Sequence, residues 1–113
     1  MLTIDALKEL GADVATGVAR CAGKEDFYLK MVTMALSDSN SFVQLQEAVD
    51  NKSLDEAFER AHGLKGVLGN LSLTNLYEPV AEMTEELRAR KDIDYSGYMA
   101  TINAEYDKYR ALL

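Results

Sequence analysis

Apolar residues recur at three- and four-residue spacing along nearly the whole chain, and nowhere do they alternate with period two for long enough to make a strand. That periodicity admits amphipathic helices and little else. One proline and seven glycines leave few interruptions in 113 residues, the length of one ordinary domain. No low-complexity linker or internal repeat divides the chain, so a single domain over 1–113 is expected.

A first helix is expected over about residues 3–10, with Ile4 and Leu7 on one face. Gly11 breaks it, Asp13 caps a short second stretch bearing Val14, Val18 and Cys21, and Gly23 closes that one. A third runs from about Glu25 to Leu36, with Phe27, Met31, Met34 and Ala35 on a broad apolar face. Residues 37–41 read as a loop and cap, and the fourth helix carries Phe42, Leu45 and Val49. After the turn at Asn51-Lys52-Ser53, Ser53 and Glu56 have the form of a capping box that opens a fifth helix reaching about Asn70. A sixth covers roughly 74–91, with Leu76, Val80, Met83 and Leu87 inward; Pro79 either kinks it or moves its start to Glu78. The last spans about 95–113, with Tyr95, Tyr98 or Met99, Ile102, Tyr106, Tyr109 and Leu113 at core spacing and the tyrosine hydroxyls reaching the surface. Four substantial helices with short connections predict an all-α protein, an antiparallel up-down four-helix bundle with short additional N-terminal helices.

The net charge of −7 opposes a phosphate backbone, so nucleic acid is not an expected partner. No apolar run approaches the about 20 residues that cross a bilayer, and no membrane association is expected. Met1-Leu2-Thr3-Ile4-Asp5 has neither the basic start nor the apolar run of a signal peptide, and the single cysteine, Cys21, allows no intrachain disulfide. The expected location is therefore the cytoplasm, and Cys21 reads as a small buried apolar residue. One histidine and one cysteine do not make a typical zinc site; neither metal nor cofactor is expected on the chain. The initial methionine and the capped start favour a free-standing chain over a piece of a hybrid kinase.

The only histidine, His62, falls in the middle of the fifth helix. Projected at about 100° per residue, Ala57, Ala61, Leu64, Leu68 and Leu71 form one arc, centred about 140° from His62. The core stripe is complete without the imidazole, which points outward. On its side lie Asp55, Phe58, Lys65, Gly66 and Gly69, with Gly63 at the edge. Asp55 reads as a first-turn helix acid. Three glycines in a helix interior cost about 1 kcal/mol each relative to alanine. Beside an exposed side chain they lower the surface so that another protein's backbone approaches closely. Lys65 lies one turn on, within reach of an anion attached to the ring. An imidazole nucleophile, a cation for phosphoryl charge and clear space for an in-line donor suit phosphoryl transfer. Phe58 reads either as a docking contact for a partner or as a ring folded over the bundle edge.

The run His62-Gly63-Leu64-Lys65-Gly66, followed by Gly69-Asn70-Leu71 and Leu76, resembles the His-x-Leu-Lys-Gly signature of histidine phosphotransfer (HPt) domains. Ala22-Gly23-Lys24-Glu25-Asp26-Phe27-Tyr28-Leu29 is similar to the lead-in to that family's second helix, and the likeness covers nearly the whole chain. Family small residues after the glycine are replaced here by Val67 and Leu68, and a common glycine is Ser72. The resemblance implies that His62 is the phosphoacceptor through Nε2, that Lys65 stabilises the phosphoryl group, and that Gly66 leaves room for a receiver domain. Gly63, Gly69 and Phe58 join Gly66 as candidate docking positions. The implied partners are receiver domains of response regulators or hybrid histidine kinases, whose Mg²⁺ site supplies the catalytic machinery. The implied protein is a monomeric phosphoryl carrier, not an enzyme with its own ATP site.

Two other readings stand beside it. One is a helical docking module that binds a receiver or kinase without being phosphorylated. The other is a small enzyme with His62 as general base, which requires a pocket and a second polar group; the convex, glycine-flanked face is expected to offer neither.

Overall fold

Seven helices and no strand make up the computed structural model, which describes residues 1–113. They are α1 (Ile4–Glu9), α2 (Val14–Arg20), α3 (Glu25–Ser37), α4 (Ser39–Asp50), α5 (Leu54–Asn70), α6 (Thr74–Arg88) and α7 (Ser96–Arg110). Local chemistry explains the boundaries of the two short N-terminal helices. The Thr3 hydroxyl accepts from the Ala6 N–H, and the Asp13 carboxylate accepts from the Thr16 N–H and hydroxyl, satisfying first-turn donors that lack helical partners. Gly11 and Gly23 end the short helices at φ +87° and +74°, where a side chain is strained.

α5 packs on α4 and α6, α6 on α7, and α7 on α3. One continuous core joins them and takes in Leu7, Ala12 and Val14 from the N-terminal segment. Each fully buried aliphatic or aromatic side chain there contributes about 1.5–3 kcal/mol relative to exposure. No buried side-chain polar atom lacks a hydrogen-bond partner, and no helix is long and apolar enough to cross a membrane.

Several local expectations are corrected. The buried face of α3 is Tyr28, Val32 and Leu36, while Phe27 and Met34 are exposed. The loop expected at 37–41 shrinks to Asp38 alone, because α3 and α4 both extend towards it. Ser53 makes no side-chain capping bond, so the capping box does not form. α6 begins at Thr74 with Pro79 inside its second turn, and it ends at Arg88. α7 stops at Arg110, leaving Leu113 exposed. The tyrosine hydroxyls turn inward: Tyr106 donates to the Leu36 carbonyl (2.7 Å), Tyr95 to Lys91 (2.7 Å) and Tyr109 to Leu10 (3.3 Å). Each satisfies a backbone acceptor in or near the interior, which is how a phenol is buried without an orphaned polar group. Cys21 is only half-buried.

The N-terminal segment fastens the end of α5. A helix leaves its last carbonyls without helical partners. Here the Arg20 guanidinium donates to Gly69, the Tyr28 hydroxyl to Leu71 (2.7 Å) and the Asp13 N–H to Ser72 (2.9 Å). Gly17 has no room for a side chain, since a Cβ there meets the Tyr28 ring. Ser72 takes φ +56°, a conformation that favours glycine; this gives a structural reason for the family's glycine at that place.

Candidate functional site

α5 buries Ala57, Ala61, Leu64 and Leu68, and Leu71 follows at its cap, so the arc read from the sequence is the core face. His62 is exposed on the other side. Helical side chains lean towards the N-terminus of their own helix. The His62 ring accordingly lies beside Phe58, one turn back, with centroids 5.6 Å apart and planes 15° from parallel. The same lean carries Lys65 back towards His62. Phe58 is half-buried and packs against the core. The Arg88 guanidinium of α6 lies 5.0 Å from the centre of its ring and donates through Nε to Glu85 (2.8 Å).

The three glycines differ in surroundings. Where a Cβ on Gly63 or Gly66 would stand, no heavy atom lies within 4 Å. At Gly69 such a Cβ meets Cε1 of Tyr77 at 3.0 Å, so that glycine admits a neighbouring ring of this chain. Gly69 thus has a packing role beside Tyr77 as well as its place on the face that carries His62. Asp55, in the first turn of α5, pairs with Arg90.

A concavity of about 590 Å³ opens beside the histidine, lined among others by His62, Lys65, Gly66, Arg20, Tyr77 and Glu78. The expectation of a bare convex face is overturned, because residues of α2 and of the start of α6 join α5 in lining a groove. The groove is open, and Tyr77 is its one hydrophobic lining residue, although glycines and the carbon stems of the polar side chains also form its walls. It suits a charged surface of a partner better than a small apolar ligand. Its lining pairs the cations Lys65 and Arg20 with the acids Asp13 and Glu78, and Arg88 stands outside it against Phe58. Glu85 is close enough to feel Arg88 and Lys65. The hydrogen bond from Arg88 holds its carboxyl below the usual carboxylate range, with further lowering from the charges of Arg88, Lys65 and His62.

Sequence reasoning missed Arg20, Arg88, Tyr77 and Glu85. They arrive from other helices, and no spacing along α5 announces them. Phe58, four residues before His62, follows from the winding of α5 itself, as Lys65 and Gly66 do. No three His, Cys, Asp or Glu side chains come together as a metal site.

The family model described as Hpt domain matches residues 30–112. The chain belongs to the Hpt domain family. Hpt domains are histidine phosphotransfer modules of two-component signalling, working with receiver and kinase partners. The matched stretch holds His62, Lys65 and Arg88, and it leaves out α1, α2 and Arg20. Neither the curated proteins nor the solved structures contain a match to this Hpt domain.

Proposed function

We propose that this Hpt domain is a phosphoryl carrier in a phosphorelay, with His62 as its phosphoacceptor. A lone pair on the imidazole, at Nε2 by the family resemblance, attacks the phosphorus of a receiver's aspartyl phosphate. The N–P bond forms as the aspartyl P–O bond breaks, and the aspartate leaves as carboxylate. Transfer to a second receiver reverses these steps. The receiver's Mg²⁺ site supplies the catalytic groups, so the chain itself needs no nucleotide site, metal or cofactor and is no enzyme in its own right.

The observation that carries this reading is the placement of His62: exposed opposite a complete core stripe, one turn from Lys65, beside open space at Gly63 and Gly66. Lys65 offsets charge on the phosphoryl oxygens, and Gly63 and Gly66 let a receiver loop approach. The shared core supports 1–113 acting as one domain, α1 and α2 included. The packing order α4–α5–α6–α7, with short connections, fits an antiparallel up-down four-helix bundle on whose last helix α3 packs. A cytoplasmic monomer suffices, since one phosphohistidine face serves donor and acceptor in turn.

The test is to incubate the chain with a phosphorylated receiver and Mg²⁺. The expected product carries one added phosphoryl group on His62, acid-labile and base-stable, and absent from His62→Gln. Binding to several receivers without any adduct would move the reading to an unphosphorylated docking module.

A further inference from the structure

Resting on the phosphoacceptor reading of His62, we propose that Phe58 is a positioning residue: its ring, overlain by Arg88, is a platform that holds the imidazole in the orientation presented to the receiver. The feature that decides it is the pair of rings at 5.6 Å and 15°. At that separation and tilt the rings are offset and nearly parallel, a favoured arrangement for two aromatic systems. Stacking occupies the face of the imidazole. Both nitrogens point along the ring plane, so their lone pairs stay open to an incoming phosphorus.

The platform is itself held. Phe58 is half-buried and packed against the core, so its ring is not a freely swinging surface group. Arg88 stands 5.0 Å from the centre of that ring. Its own freedom is limited by the 2.8 Å bond from Nε to Glu85 on the same helix. An ordered chain therefore runs from α6 through Phe58 to His62: carboxylate, guanidinium, phenyl, imidazole. The His62 side chain makes no hydrogen bond within the chain, so the stack is the ring contact that holds it in the orientation the helix allows. In-line transfer needs the nucleophile already aimed, and an exposed imidazole with no such contact divides its time among several rotamers.

The experiment uses the full chain and its phosphorylated donor receiver with Mg²⁺. Single-turnover transfer is followed at rising receiver concentration, and the order of the unphosphorylated His62 side chain is followed by NMR couplings. Phe58→Leu keeps an apolar group against the core and removes the platform. It is expected to lower the saturating rate about twofold to tenfold, the range one aromatic pair is worth. The half-saturating receiver concentration stays unchanged, and the His62 couplings become averaged. Phe58→Tyr restores both. Arg88→Met, which leaves the core untouched, shifts both readouts in the same direction by less. A raised half-saturating concentration with an unchanged rate would make Phe58 a partner contact and overturn the proposal, as would unchanged His62 couplings in Phe58→Leu. If wild-type His62 accepts no phosphoryl group from any receiver, the carrier reading fails, while the couplings still judge the platform.

Discussion

Tyr28 reaches from α3 to the far end of the helix that carries His62, where its hydroxyl donates to the Leu71 carbonyl at 2.7 Å. The phenol is fully buried, and Gly17 makes room for its ring. Removing the hydroxyl alone leaves the Leu71 carbonyl without this donor. Tyr28→Phe is therefore expected to destabilise the fold by about 1–2 kcal/mol. For a domain near this size that corresponds to a fall of roughly 4–8 °C in Tm per kcal/mol. Calorimetry on the two proteins checks it, and phosphotransfer at temperatures well below the transition should be unchanged.

Burial also pushes the Tyr28 and Tyr109 phenols up to about 12 from their ordinary value of 10.0. Below pH 10.0 both folded and unfolded chains keep these protons, and the contribution to stability is fully present. Between 10.0 and about 12 the unfolded chain releases them first, so stability falls as pH rises through that window. Urea midpoints measured from neutral pH upward should decline steeply above pH 10.0. In a Tyr28→Phe/Tyr109→Phe variant, stable or not at neutral pH, that decline should be shallower.

The glycines of α5 separate access from packing. Gly66→Ala adds a methyl where nothing stands within 4 Å, so helix propensity raises stability by about 0.5–1 kcal/mol. The same methyl enlarges the surface a receiver meets, and transfer should slow through weaker docking. Gly69→Ala gains the same propensity but presses on the Tyr77 ring at 3.0 Å, so its net gain should be smaller. Paired denaturation curves and transfer rates test the order: Gly66→Ala more stable and slower, Gly69→Ala less stable than Gly66→Ala and nearer wild type in rate. Equal rates for the two variants would contradict the assignment.

The core of α5 was legible because it is a local matter: five small or aliphatic residues at helical spacing define a stripe, and His62 lies outside it. α3 was misread for the opposite reason. Phe27 and Met34 are large and apolar, yet Tyr28, Val32 and Leu36 are the residues buried. A tyrosine becomes a core residue only when a carbonyl such as that of Leu71 waits for its hydroxyl, and 43 residues separate the two. The groove was invisible on the same ground. Arg20 and Arg88 come from helices that pattern alone does not place beside His62, whereas Lys65 and Gly66 follow from the winding of α5 itself. Ser53 shows the converse limit, since its capping pattern is correct by type and is not used.

Lys65 gives the sharpest test of how the chain holds a phosphoryl group. It is half-exposed, so its attraction for an anion one turn away is screened by water. A charge-assisted hydrogen bond discounted for that exposure is worth about 1 kcal/mol, roughly fivefold in an equilibrium constant. Lys65→Ala should therefore leave a smaller share of the phosphoryl group on the histidine when the chain equilibrates with a phosphorylated receiver. Folding stability should move by no more than about 0.5 kcal/mol, because the side chain makes no ion pair in the unmodified protein. Lys65→Arg keeps the charge and should recover most of the loss. Raising the salt concentration should narrow the gap between wild type and Lys65→Ala. A gap that persists unchanged at high salt would mean that Lys65 acts by shaping the docking surface and not by its charge.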